Sequence, residues 1–206
     1  MRNYWGTISS LFALIVCFQP LAFADQNPSA ASKYILETID KVRATVMKER
    51  GKISEEELDK KLIEVIAPVF DFAAMSRSSL GPNWKKATKD EQQEFTKLFS
   101  DLLSRTYLEK IKNIDHNEID FKGETVKGGK TVVKTVVRDD TGDEIQVNYR
   151  VRSAANSYHV YDVIIGNVGL VTNYRNEFAG IIRKKEFTGL LQDLRDKKVA
   201  SKPIES

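Results

Sequence analysis

Residues 144–152, Glu144-Ile145-Gln146-Val147-Asn148-Tyr149-Arg150-Val151-Arg152, alternate without a fault between polar and apolar side chains. Successive side chains of a strand point to opposite faces. Ile145, Val147, Tyr149 and Val151 therefore share one side, and Gln146, Asn148, Arg150 and Arg152 the other. One dry and one wet face is the pattern of an antiparallel sheet packed on a second layer. Before this strand comes a turn-forming run, 139–143, rich in Asp and Gly. Before that, residues 131–138 are β-branched at every apolar position, with Val133 and Val137 on one face and Val132 and Val136 on the other. Earlier still, Ile119, Phe121 and Val126 carry a strand into Gly128-Gly129, a hairpin dipeptide. Downstream, a polar loop at 153–157 leads to a fourth strand over 158–165.

On both sides of this block the period changes from two to that of a helix. Ile35, Ile39, Val42 and Val46 fall on one helical face, which Gly51 ends. Ser54 with Glu57 predicts a capping box ahead of Leu58, Leu62, Val65 and Ile66, and Pro68 closes that element. Asp71 can cap a short helix carrying Phe72 and Met75, and Gly81-Pro82 is a break. Thr88 with Glu91 opens the longest helix, whose apolar set is Phe95, Leu98, Phe99, Leu102, Leu103, Tyr107, Leu108 and Ile111. That stripe is wider than two packed helices require. After the sheet, Tyr174, Phe178, Ile181 and Ile182 form one helical face, and Phe187, Leu190, Leu191 and Leu194 a second. The class is α+β: a helical N-terminal half packed on a twisted antiparallel sheet of about four strands, with C-terminal closing helices.

The first 24 residues have the layout of a secretory signal. Arg2 is the only charge, an apolar stretch follows, and Ala22-Phe23-Ala24 is the small-x-small pattern that a signal peptidase accepts. The apolar core is short of the ~20 residues that a bilayer span needs. Leu14-Ile15-Val16-Cys17 offers a rival site with Cys17 acylated, but Val16 is bulky where a small residue is wanted. Cleavage after Ala24 gives a linker at 25–31, one domain at 32–198 and a flexible tail at 199–206. It also removes Cys17, the single cysteine, so the exported domain must rely on an apolar core rather than disulfides. The 32 Lys and Arg nearly balance the 29 Asp and Glu, without the basic excess that nucleic-acid binding calls for.

Metal and hydrolytic chemistry need clustered groups. His116 and His159 stand apart, and neither a nucleophile elbow nor a phosphate-binding glycine loop occurs. No catalytic residue, metal or cofactor is expected. What the chain does have is an excess of large apolar side chains on surfaces that should meet. They fill a core or line a cavity, and periodicity does not separate the two. An apolar cavity between sheet and helices would suit a lipid chain, since each buried CH₂ contributes ~0.8 kcal/mol. An alternative of another class is a small exported enzyme with an apolar pocket. Asp162 is its candidate acid, although one position out of phase with Tyr161 and Val163.

Three stretches, in order, resemble the MlaC or toluene-tolerance family of periplasmic lipid carriers of the Mla pathway. They are Phe70-Asp71-Phe72-Ala73-Ala74-Met75-Ser76-Arg77 with Leu80-Gly81 and Trp84-Lys85-Lys86-Ala87-Thr88; Tyr158-His159-Val160-Tyr161-Asp162-Val163; and Gly166-Asn167-Val168-Gly169-Leu170-Val171 with Asn173-Tyr174-Arg175 and Phe178. The family commonly has Ser where this chain has Gly169 and Trp where it has Tyr158, and a hopanoid-associated branch shares the architecture. The resemblance implies a non-enzymatic carrier that moves phospholipid across the periplasm. Its partners would be an inner-membrane ABC lipid transporter complex and an outer-membrane lipoprotein complex. The expected lining is Phe72, Met75, Phe99, Leu103 and Tyr107 from helices, Val133, Val147, Tyr149, Tyr161 and Val163 from strands, and Val168, Tyr174 and Phe178 from the closing segment.

Overall fold

Helix α1 (Ala30–Glu49) begins where Ser29 accepts a hydrogen bond from the Ser32 amide, and Ile35, Ile39, Val42 and Val46 form its buried face. A computed structural model describes residues 27–155, 157–199 and 203–204; the signal segment and its cleavage site lie outside these. Residues 30 and 31, expected in the linker, already belong to α1, and Ala31 is buried. Helix α2 (Glu55–Ile66) starts with the expected Ser54–Glu57 capping box and buries Leu58 and Leu62. A 3₁₀ turn at Ala67–Val69 follows, with Pro68 as its second residue. Asp71 then caps α3 (Phe72–Leu80) through the Ala74 amide. The second expected capping box, Thr88–Glu91, opens α4 (Lys89–Lys112).

Five strands follow: β1 (Glu118–Lys127), β2 (Lys130–Arg138), β3 (Glu144–Ala154), β4 (Ser157–Ile165) and the two-residue β5 (Val168–Gly169). All pairs are antiparallel and neighbours in sequence, so the sheet is a simple meander. The Gly128-Gly129 turn joins β1 to β2 with both glycines at positive φ, the backbone that a tight two-residue hairpin needs. Strand β5, one more than the four expected, is too short to carry its own periodicity.

The inner face of the sheet carries Val133, Tyr149, Val151 and Val163, and helices cover it. Helix α1 is tied to β1 at its start, where Ser29 Oγ donates to Glu124 Oε2 at 2.7 Å and Ser32 Oγ donates to the same oxygen. Helix α5 (Leu170–Arg195) closes the layer, with Phe178 packed on Phe95 and Phe99 of α4 and Tyr174 on Phe99, at ring-centroid distances of 5.2–5.4 Å. The two faces expected for this segment belong to two helical stretches that meet in a bend at Glu186, where a φ of 60° and a ψ of −177° break the helix. Lys185 spans the bend to both carboxylate oxygens of Asp193 at 2.9 and 2.7 Å.

Only glycine occupies that backbone region at low cost; other residues carry ~1–3 kcal/mol of strain. Glu186→Gly is therefore expected to stabilise the fold by about 1 kcal/mol after the added chain entropy, a rise of roughly 2–4 °C in thermal midpoint. An unchanged or lower midpoint would mean that the bend is held without strain. Two residues beyond α5 have a place in the described structure. Val199 is buried, and Ile204 packs against the main apolar cluster.

Candidate functional site

Apolar packing is divided in two. The larger cluster joins the sheet to α3, α4 and α5 around Phe95, Phe99, Tyr174 and Phe178. The smaller holds α1 to α2 through Val42, Val46, Leu58, Leu62 and Leu108. Between them lies a cavity of about 680 Å³, within the ~300–1,000 Å³ typical of small-molecule sites. One wall is Ile63 and Ile66 of α2 with Leu108 and Ile111 of α4. The opposite wall is the inner sheet face, with Ile119, Val137, Ile145, Val147 and Tyr149. Phe72, Met75, Leu103, Val163 and Leu170 form the deeper end, and all but Phe72 are buried. Lys110, Asn113, Asp143 and Glu144 are exposed at the rim.

The interior is nearly free of charge. Burial pushes the Tyr149 phenol up to about 12, an effect that a hydrogen bond with Thr135 only partly offsets. Tyr107 is likewise pushed up to about 12 by burial, against the hydrogen bond from the Ile204 amide. Both phenols are therefore neutral at any physiological pH.

Helix α2 is latched to α4 across the end of this cavity. Lys112 Nζ, with the side chain only 8% exposed, lies 2.9 Å from Glu55, 3.1 Å from Asp59 and 2.6 Å from Glu109. Burial alone would lower its pKa, but the three carboxylates win and hold the ammonium above its usual range. Lys112→Met is expected to cost ~1–2 kcal/mol, between an exposed and a fully buried ion pair. Amide exchange in α2 should quicken while that in β3 stays slow. Equal acceleration in both would show that the latch supports the whole fold instead.

Of the thirteen side chains expected to line a pocket, Phe72, Met75, Leu103, Tyr107, Val147, Tyr149 and Val163 do face the cavity. Phe99, Val133, Tyr174 and Phe178 do not: they are fully buried in the adjoining core, where helix meets sheet without a gap. Val168 is 41% exposed in the edge strand β5. Tyr161 is displaced by a β-bulge. Arg150 pairs with Asp162 and Val151 with Val160, which leaves Tyr161 as the extra residue. The period of two fails there, Val160 and Val163 both turn inward, and Tyr161 lies under Lys130 of the outer face, 5.7 Å from nitrogen to ring centroid. The expected list also lacked Ile63, Ile66, Phe70, Ile114 and Ile204. Phe70 stands beside Phe72 in the quoted motif, but Ile63 and Ile66 give no sequence sign of facing a void.

Asp162 does not line the cavity. Its Oδ1 accepts the Val171 amide at 3.1 Å, and its Oδ2 accepts Arg150 Nη1 at 3.0 Å. It thus caps the start of α5 and neutralises a sheet arginine. Among the described residues no group of three or more His, Cys, Asp or Glu is placed to hold a metal ion. No helix among them is long and apolar enough to cross a membrane.

Residues 36–196 match the protein family described as MlaC protein, a span that takes in every residue lining the cavity except Ile204. The chain belongs to the MlaC family. A relative from Haemophilus influenzae, the intermembrane phospholipid transport system binding protein MlaC, is 20% identical over 209 residues, which cover 97% of this chain and 94% of the relative. Among solved structures, the phospholipid-binding protein from Ralstonia solanacearum, determined in complex with a phospholipid, is 28% identical with a TM-score of 0.73. That match covers 81% of this chain and 96% of the other. The MlaC fold accordingly accounts for the helical first half, the antiparallel meander and the closing helix together.

Proposed function

We propose that this MlaC-family chain is a periplasmic carrier that holds phospholipid acyl chains in the cavity between the sheet and α2–α4. The apolar void itself carries the reading. A protein that needed only stability would close it, because unfilled volume forfeits packing energy. Filling it with hydrocarbon returns ~0.8 kcal/mol per CH₂ removed from water. The similarity to a phospholipid-bound structure supports a lipid as the occupant. The signal-like first 24 residues support export. On this reading the chain shuttles between an outer-membrane lipoprotein complex and an inner-membrane ABC lipid transporter. No bond is made or broken, in keeping with Asp162 being committed to a helix cap rather than to the cavity.

The test is chemical analysis of chain purified from the periplasm without detergent. Native mass spectrometry and lipid extraction should find stoichiometric phospholipid. A recovered hopanoid would move the chain to the hopanoid branch. A protein that is always empty and takes up no lipid from vesicles would defeat the carrier reading.

A further inference from the structure

We propose, resting on the carrier reading, that Tyr107 and Lys110 determine specificity for ester-linked glycerophospholipid: Tyr107 donates to an ester carbonyl while Lys110 pairs with the phosphate. Both residues line the cavity on α4. Three residues apart, they are neighbours on one helical face, with ~4.5 Å of rise between them. Leu103, a turn deeper, is buried, and Lys110 is exposed at the rim. The helix therefore presents an apolar surface, a neutral donor and a cation in sequence from the interior to solvent. A glycerophospholipid has the same order within a few bonds: acyl chain, ester carbonyl, phosphate.

Inside the cavity the Tyr107 hydroxyl already meets one backbone group, but as an acceptor, which leaves its own proton free to be donated. Its oxygen accepts the backbone N–H of Ile204 at 3.3 Å, and the Ile204 side chain lies in the cavity wall. A polar backbone group beside an apolar side chain thus reaches this phenol from the cavity wall. The phenolic proton itself has no acceptor among the described residues. The other phenol in the wall, Tyr149, interacts with Thr135 within the sheet. Lys110 has no ion-pair partner among the described residues, whereas nearby Lys112 is surrounded by carboxylates.

The facing rim is acidic, and its groups are largely committed. Asp139 accepts from Thr141 and the Asp143 amide, and Glu144 accepts from Arg138. Its charge directs a phosphate toward the α4 side, where Lys110 stands.

The experiment is equilibrium uptake by delipidated full-length secreted chain from vesicles doped with diacyl phosphatidylglycerol or with its di-ether analogue, which lacks the carbonyls. Wild type should prefer the diester about three- to tenfold, the range of one neutral hydrogen bond. Tyr107→Phe should remove that preference and leave the ether lipid bound as in wild type. Lys110→Gln should weaken both lipids alike and flatten the salt dependence of uptake. Equal wild-type affinity for the two lipids, or equal losses for both in Tyr107→Phe, would overturn the anchor and leave the carrier reading standing. A Lys110→Gln variant with unchanged uptake would overturn the phosphate contact. Wild type that took up neither lipid would overturn both readings.

Discussion

Val147→Asp is expected to strip the chain of bound phospholipid while leaving it folded. Val147 faces the cavity from the middle of the sheet wall, between Thr135 on β2 and Ile165 on β4. A carboxylate there meets hydrocarbon whenever a lipid is seated, and no cation lines the deep part of the cavity to pair with it. Burying an unpaired ionised group costs several kcal/mol in practice, even after relaxation. At ~1.4 kcal/mol per factor of ten, that is a loss of at least a hundredfold in lipid affinity. In the empty protein the same carboxylate can be hydrated through the open rim, so the fold should lose only about 1–3 kcal/mol. Lipid-to-protein ratio after detergent-free purification measures the first effect, and a urea transition on delipidated protein the second. Normal loading by a folded variant would show that the acyl chains lie elsewhere.

Why the sequence showed Val147 but misplaced its neighbours follows from what periodicity can carry. Alternation in 144–152 fixes which face of β3 is dry, and the helical stripes fix which face of each helix is apolar. Those faces were legible, as were both capping boxes and the Gly128-Gly129 hairpin. Alternation is silent on what lies opposite a dry face. Val133 and Val147 share the inner face on adjacent strands, yet Val133 is completely buried and Val147 keeps surface toward the cavity. What decides is the helix layer: α1 lies on β2 and packs into the cluster that holds Val133, whereas α2 stands across the cavity from Val147. Tyr161 fails for a different reason. A one-residue bulge reverses the phase of β4, and nothing in 158–163 signals it. Ile204 was hidden because a single apolar residue after the last helix has no period at all.

The same division into core and cavity predicts that two aromatic truncations will behave in opposite ways. Phe178 is completely buried, with its ring against Phe95, Phe99 and Tyr174 at centroid distances of 5.3–5.5 Å. Phe178→Ala removes a ring from a close-packed region that can collapse only partly, at a cost of ~3–5 kcal/mol. Against a total stability of ~5–15 kcal/mol, that is a large share, and the variant should be partly unfolded near its growth temperature. Phe72 lines the cavity and, among the described residues, stacks on Phe70 alone, 5.7 Å away. Phe72→Ala enlarges a void that already exists, so about 1 kcal/mol of stability is expected to go, while lipid retention suffers more. Both variants must be compared after delipidation, because a ligand that binds only the folded state adds its own stabilisation by mass action. The expected result is a crossed pattern: Phe178→Ala low in urea midpoint but lipid-competent where folded, Phe72→Ala near normal in midpoint but poorly loaded. If Phe72→Ala proved the less stable of the two, the boundary between core and cavity would have to be redrawn through α3.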